Sequence, residues 1–285
     1  MGFNKKLRYF AKSLIARRNL LSYELHGRKP WSRGYFEYKW REIGAVLKNN
    51  ELSRLFKNNG KLPEKYGIGI DERIIEIPWV ISQIGGDRVE MLDAGSALNF
   101  KEIIEHKNIV PKNLFIMNLN PESNCFWNKG VSYVYSDIRK APFKSDNFDI
   151  ISCVSTLEHI GMDNTQIYTG ENRFKENSGD YLPAVLEMKR MLKPGGTLFI
   201  TVPFGRYENH GFFQQFNSQM VQKVADAFGA AEFNTVFYKY SKDGWQISEQ
   251  EQCDGLEYFN IRTGKKINDD GVAAARAVAC VTLRK

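Results

Sequence analysis

The sequence predicts an α/β fold: a seven-stranded, mostly parallel sheet covered by helices, with an antiparallel hairpin at its C-terminal end and a helical N-terminal extension. Three observations lead there. Short apolar runs alternate with segments of helical period, the pattern of a parallel sheet buried on both faces. The last two apolar runs have no helix signal between them, which suits an antiparallel pair. The first 61 residues carry 15 Lys/Arg against 4 Glu, a net +11 in a chain whose total is +7, so the rest is net −4. Any basic partner surface therefore belongs to the N-terminal segment. With 285 residues, 42% of them apolar, the chain holds enough for one substantial core with appendages. The expected division is an extension over 1–62 and a larger domain over 63–285.

Taken in order, residues 3–21 fit an amphipathic helix. Phe3, Leu7, Phe10 and Leu14 share one side and Lys5, Lys6, Arg8, Lys12 and Arg17 fall largely on the other, a composition suited to an anionic membrane surface or to packing on the protein itself. Trp31, Tyr35, Phe36, Tyr38 and Trp40 open a second helical stretch over Arg41–Phe56, where they serve either base or sugar stacking or the wall of a core. Asp71–Ile84 reads as a helix that Pro78 should bend or interrupt. Strands are expected at Val89–Leu92, Leu114–Met117, Val131–Tyr135, Phe148–Val154, Thr197–Val202, Phe233–Tyr240 and Ala277–Leu283. Helices are expected at Lys101–His106, Tyr181–Leu192 and Ser218–Phe228, the last closed by Gly229. A polar lid-like segment over 161–179 and an insertion over 241–270 complete the chain.

Composition excludes several classes. Cys125, Cys153, Cys253 and Cys280 are scattered, with no CxxC pair, so reduced thiols and a cytoplasmic setting are expected. No apolar run approaches the ~20 residues of a spanning helix. The first 20 residues carry charges throughout, so no secretory leader is expected. No His/Cys/Asp cluster has metal-ligand spacing, and no bound metal is expected.

The motif that organises the chain is VEMLDAGSALNF, Val89–Phe100. It reads as a buried strand running into Asp93-Ala94-Gly95, where glycine lets the backbone approach a nucleoside-bearing ligand. Alone it is unspecific. It is followed by IMNLNP, then YVYSDIRKAPFKSDNFDIISCVSTLEHIG, then LEMKRMLKPGGTLFITVPFG. In this order the segments resemble the class I S-adenosylmethionine-dependent methyltransferases from about Val89 to Pro203 and again at the terminal hairpin. DERIIEIPWVIS followed by LDAGSALNF loosely resembles methyltransferases of bacterial surface-polysaccharide biosynthesis.

The resemblance implies a Rossmann-like sheet and S-adenosyl-L-methionine as cofactor. Asp93, Ala94, Gly95 and Ser96 would form the first cofactor loop. Asn118, with Leu119 beside it, stands where the family usually has an acid for the ribose hydroxyls. Asp137 and Ile138 would face the adenine, and Ser155 and Thr156 would lie near the sulfonium, with Glu158 and His159 at the rim. Two departures stand out: Ala97 and Asn99 occupy the later glycine positions of the loop, and Asn118 replaces a carboxylate.

Loops at strand C-terminal ends are where the acceptor should sit. His210, in PFGRYENHGFFQQF after the fifth strand, is the first candidate for a general base and His159 the second. Arg206, Tyr207 and Glu208 share that loop, and Trp245 in the insertion offers a face for a sugar; these four are the expected acceptor contacts. The leading expectation is O-methylation of a sugar or glycan, lipid-linked ones included, in polysaccharide assembly, with peripheral contact to the inner membrane surface through residues 3–21 and a homo-oligomer as an open question. The alternatives are RNA methylation or a non-catalytic protein of the same fold. No RNA-binding module accompanies the domain, and Ser155-Thr156-Leu157 stands where a base-methylating motif would, so nucleic acid is not the expected partner.

Overall fold

The computed structural model describes residues 3–164, 177–259, 270–271 and 275–285, with side chains from residue 14 onward. Most of the lid-like segment over 161–179, the greater part of the stretch 260–274 and the side chains of Phe3, Leu7 and Phe10 lie outside the described residues.

Eight strands form the main sheet in the order β3-β2-β1-β4-β5-β10-β8-β9. They are β1 (Glu90–Ala94), β2 (Asn113–Asn118), β3 (Ser132–Tyr135), β4 (Phe148–Val154), β5 (Leu192–Pro203), β8 (Glu232–Ser241), β9 (Gly244–Ser248) and β10 (Ala277–Arg284). The first five pair in parallel. β10 runs antiparallel between β5 and β8, and β9 adds an antiparallel edge on β8. The expected seven strands are all present, and the eighth, β9, comes out of the 241–270 insertion. A two-stranded ribbon, β6 (Glu208–Asn209) with β7 (Gln214–Gln215), follows β5.

The chain places β2 and β3 on one side of β1 and then crosses to put β4 and β5 on the other. The connections that leave the carboxyl ends of the paired strands β1 and β4 therefore run apart, and a crevice opens outside those ends. This is the topological switch point at which open α/β sheets take ligands.

The helices are α1 (Phe3–Leu25), α2 (Tyr35–Lys48), α3 (Asn50–Lys57), α4 (Arg73–Gln83), α5 (Lys101–Ile104), α6 (Tyr181–Met191) and α7 (Ser218–Phe228). The single helix expected over Arg41–Phe56 is two. Asn49 leaves helical geometry at φ −91°, ψ 107°, and its side chain accepts the amides of Glu51 and Leu52 to cap α3. Pro78, in contrast, does not interrupt α4. Proline removes the donor that would bond the Ile74 carbonyl, but the Tyr66 hydroxyl donates to that carbonyl at 2.8 Å instead. The main cost of an interior proline is thereby offset.

Helices α1–α3 pack on the sheet rather than standing apart. Tyr23, Tyr35, Tyr38, Ile43 and Phe56 join the apolar core that contains Trp79 of α4 and Phe199 of β5. Trp40 stacks on Phe100 at 3.6 Å, so it serves as core wall. The two segments are also tied electrostatically: buried Lys39 of α2 donates to Asp71 at 2.6 Å, and the Tyr35 hydroxyl donates to the same oxygen at 2.8 Å. On α1, Leu14, Ile15, Leu21 and Leu25 are at least half exposed. No helix among the described residues is long and apolar enough to cross a membrane. Cys153, Cys253 and Cys280 are buried free thiols, and Cys125 is exposed.

Candidate functional site

The crevice at the switch point has a volume of about 220 Å³ and is lined from four strand ends: Gly95 after β1, Asn118 and Leu119 after β2, Ser136 to Arg139 after β3, and Thr156, His159 and Ile160 to Met162 after β4. Gly95 is indispensable to its shape. Its φ is +114°, and a Cβ built there would lie 1.9 Å from Thr156 Oγ1. Only a glycine lets the two strand ends meet this closely. Ser96 and Ser155, just past the ends of β1 and β4, are non-glycine residues at φ 66° and 39°, a concentration of backbone strain typical of ligand sites.

Of the residues named from the sequence for the cofactor, Gly95, Asn118, Leu119, Asp137, Ile138 and Thr156 line the crevice. Asp93 and Ala94 lie beneath it, fully buried. Asp93 accepts the Leu98 amide at 2.8 Å and the Ser152 hydroxyl at 3.2 Å, which shapes the loop after β1; burial outweighs these bonds and lifts its pKa to about 7. Ser96 faces Glu122, and Ser155 opens on the other side of the β4 end. Ala97 and Asn99 line no part of the crevice. Asn99 turns away, donating to Glu122 and the Asn124 carbonyl and accepting from the Tyr133 hydroxyl.

Glu122 had not been singled out in the sequence. Its Oε1 accepts the Asn118 amide at 2.8 Å, while its Oε2 accepts the Ser96 hydroxyl at 2.6 Å and the Asn99 amide at 3.1 Å. A carboxylate thus returns to the end of β2 four residues after Asn118, linking the loops after β1 and β2. The only sequence signal for it is an acid one turn beyond the strand end.

Asp137 caps the short 3₁₀ turn Ile138–Lys140 and is gripped by the Arg139 guanidinium, whose other end reaches Asp180 at the start of α6. Despite partial burial, the bonds and charge from Arg139 hold Asp137 below the usual carboxylate range. An ionised carboxylate with about four acceptor positions retains capacity for a further donor. The crevice walls are otherwise mainly apolar, with Leu119, Ile138, Ile160 and Met162. A glycine cradle, the Asp137 carboxylate, Asn118 backed by Glu122, and apolar walls fit an adenosine-bearing cofactor.

A second, smaller chamber of about 100 Å³ adjoins the crevice and shares His159 with it. Glu72 at the N-cap of α4, Arg73 in its first turn, and Ser155, Glu158, Pro203, Phe212, Phe213 and Tyr258 complete its walls. It is strongly acidic. Glu76, fully buried below it, accepts from Arg73 at 2.8 Å, the Ser155 hydroxyl at 2.6 Å and the Thr201 hydroxyl at 2.8 Å. Glu72 Oε2 and Glu158 Oε2 lie out of solvent with no hydrogen-bond partner among the described residues. Burial, then the neighbouring acids, pushes the Glu72 and Glu158 carboxyls up to about 8 each. Burial depresses Arg73, but the surrounding Glu76, Glu72, Glu158 and Asp71 overcome that and raise its pKa.

These shifts have a consequence for stability. Carboxyls raised from 4.5 to about 8 bind more protons in the folded state than in the unfolded one between those values. Their stabilisation is complete below the unfolded pKa and is lost as pH rises through about 8. His106, lowered by burial, acts in the opposite sense, so a variant isolates the effect. Glu158→Gln is expected to flatten the fall in Tm between pH 5 and 9 and to melt higher than the wild type at pH 9, on the order of 1–3 kcal/mol more stable. Parallel melting curves at all pH values would exclude ionisation of Glu158 from that range.

The two histidines named as base candidates are placed differently. His159 borders both cavities, and its Nδ1 bonds the Phe212 carbonyl at 2.8 Å. His210 lines neither. It stacks on the back of Phe213 at 4.5 Å, with Nε2 3.0 Å from Glu208 Oε2. Of the expected acceptor contacts, Arg206 is exposed and paired with Glu257, and Tyr207 lines a separate surface hollow with Gln214 and Lys223. Trp245 is wholly buried, donating its indole N–H to the Ile70 carbonyl at 2.9 Å, with no face toward either cavity. Tyr258, Glu72 and Arg73, which do line the chamber, had not been named. DERIIEIPWVIS holds Glu72, Arg73 and Glu76, but nothing in its period reveals which sheet edge they meet.

Comparison with known proteins gives one family model and a set of distant structural likenesses. Residues 108–200 match the model of the methyltransferase domain family. No curated protein matches the chain. Among solved structures, it is similar to the 1,6-didemethyltoxoflavin-N1-methyltransferase of Burkholderia thailandensis, determined with 1,6-didemethyltoxoflavin and S-adenosylhomocysteine bound, at 12% identity over 97% of this chain and 89% of that one, TM-score 0.44. It is also similar to an S-adenosylmethionine-dependent methyltransferase of Methanosarcina mazei, at 12% identity over 72% and 96%, TM-score 0.43. The [4+2]-cyclase SpnF matches at 13% identity over 86% and 93%, TM-score 0.45. Likenesses this distant carry nothing toward acceptor or mechanism. Residues 108–200, the segment matched by the methyltransferase domain model, run from just before β2 into β5, in the sheet whose switch-point crevice fits an adenosine-bearing cofactor.

Proposed function

We propose that the protein transfers a methyl group from S-adenosylmethionine to a hydroxyl of a small sugar-like acceptor whose reacting end enters the acidic chamber. The observation that carries this reading is the pair of unpartnered carboxyl oxygens, Glu72 Oε2 and Glu158 Oε2, beside aromatic Phe213 and Tyr258 in a chamber that shares a wall with the cofactor crevice. Carboxyl oxygens without a partner are poised for polar hydrogens such as those of a hydroxyl, and aromatic faces suit the C–H groups that accompany a polar substituent into so small a space.

In this reading Gly95, Glu122 through Asn118, Asp137, Leu119 and Ile138 hold the cofactor, which supplies a methyl group already activated on a sulfonium. The chain's part is to bind, orient and keep water out, which together account for ~7–11 kcal/mol of a barrier in favourable cases. A hydroxyl acceptor also gives up a proton. His159 is the residue we assign to take it. The Phe212 carbonyl can only accept, so the Nδ1 bond at 2.8 Å puts the proton on Nδ1 and leaves the lone pair on Nε2. His210, behind Phe213, acts as a positioning residue.

The test is a tritiated-methyl transfer assay with sugars, lipid-linked glycans and RNA as acceptors. Transfer to sugars is expected. His159→Gln should lower kcat by ~100-fold or more, and His210→Ala by much less. Transfer confined to RNA, or full turnover by His159→Gln, would overturn the acceptor or the base assignment respectively.

A further inference from the structure

The chamber is more acidic than hydroxyl recognition requires. Three carboxyls, Glu72, Glu76 and Glu158, meet one cation, Arg73, whose closest pair is with Glu76 at 2.8 Å. The neighbouring Asp71 is already matched by Lys39 at 2.6 Å. With every group ionised, the cluster lacks two positive charges. Glu158 is 3% exposed, lines the chamber and has no partner for Oε2 among the described residues. Unpaired charge so enclosed is costly unless a counter-ion arrives.

The remaining walls suit a cation. Phe213 and Tyr258 stand 4.7 Å apart at 63°, and Phe212 meets Phe213 at 4.8 Å. Aromatic faces beside carboxylates attract an ammonium through the ring quadrupole as well as by charge. A water molecule takes ~30 Å³ of liquid, so a chamber of about 100 Å³ admits a head group of a few heavy atoms, not a whole sugar.

We propose that this chamber is a subsite for a primary ammonium group, so that the acceptor is an amino-bearing one, an amino sugar in the reading above, on which this inference rests. The ammonium enters between Glu72 and Glu158, and a carboxyl proton leaves to solvent as it binds. Charge is conserved in this exchange, and no bond to carbon changes.

The groups that face Glu158 are Glu72 from the N-cap of α4, Arg73 and Glu76 from α4 itself, Cys153 from β4, His159 from its own turn and Tyr258 from the loop after β9. Of these, the carboxyls set the pH dependence. With Glu72 and Glu158 near 8 and an alkyl ammonium near ~10.4, affinity rises from pH 6 to 9.

The experiment is calorimetric titration of the full chain with ethanolammonium and with its neutral isostere ethylene glycol, in two buffers of different ionisation enthalpy. We expect ethanolammonium to bind roughly tenfold or more tighter than the glycol, to release protons at pH 7 and to lose that preference in Glu158→Gln and in Glu72→Gln, with thermal melting reporting that both variants fold. Equal binding of the two probes, binding of neither, or an unchanged preference in both folded variants overturns the subsite. The titration contains no methyl donor, so its outcome is separable from the proposed activity. Methyl transfer to neutral sugars without ethanolammonium binding removes the subsite alone, and failure to bind S-adenosylmethionine removes the enzyme reading alone.

Discussion

Gly95→Ala is expected to abolish measurable binding of S-adenosylmethionine, a loss of at least ~100-fold in calorimetric titration, while the chain still folds. Two effects combine. At φ +114° an L-residue is strained, at roughly 1–3 kcal/mol. The new Cβ also falls 1.9 Å from Thr156 Oγ1 and 2.4 Å from its Cγ2. Thr156 is held from behind by its own hydroxyl, which donates to the Val154 carbonyl at 2.9 Å. The strand ends must therefore part, or Thr156 must swing into the crevice that it lines. Either movement spoils the crevice while leaving the sheet hydrogen bonds below it intact. Near wild-type affinity in this variant would mean that the cofactor does not lie against the β1–β4 junction.

The second large effect is on stability. Glu76→Ala should lower ΔG of unfolding by ~3 kcal/mol, in the range found when one partner of a buried ion pair is removed. For a domain of this size that is a fall in Tm of roughly 6–12 °C. Glu76 is fully buried and joins three elements: Arg73 on its own helix, Ser155 at the end of β4 and Thr201 in β5. Its loss leaves two buried hydroxyls without their acceptor and a guanidinium short of a partner. Glu76→Gln, which keeps an oxygen for the hydroxyls, should lose about half as much. Because the Glu76 charge also helps to raise Glu72 and Glu158, both variants should weaken the fall in stability between pH 5 and 8. A change of less than ~2 °C in Glu76→Ala would show that α4 is held to the sheet by its apolar face alone.

Much of the fold was legible because its signals are local. The buried strands are runs of Ile, Val, Leu and Phe whose length and spacing need no partner to be recognised, and Phe148–Val154 and Ser218–Phe228 are observed with the expected bounds. The boundaries that moved depended on contacts far along the chain. α4 passes through Pro78 because Tyr66, twelve residues earlier, satisfies the Ile74 carbonyl. β9 exists because β8 offers it an open edge.

The site divides in the same way. Gly95 is readable at its own strand end, while Asn118, Leu119, Asp137, Ile138 and Thr156 came from the family resemblance of the segments that end β2, β3 and β4; the sheet brings them to one edge. Trp245 seemed suited to a surface from its composition, but the pairing of Tyr240 with it across β8 and β9 turns it inward.

The sequence by itself determined the alternation of strands and helices and the glycine-bearing end of the first strand, since each follows from local period and from residue type; the strand order that opens the switch point came with the assembled sheet. Only the tertiary structure decided the acidic chamber. Glu72, Glu158 and Tyr258 come from segments up to 186 residues apart, and their charge acquires meaning only when burial strips away water and forces carboxyls into one another's field. Desolvation of this kind belongs to an assembled interior and has no one-dimensional trace.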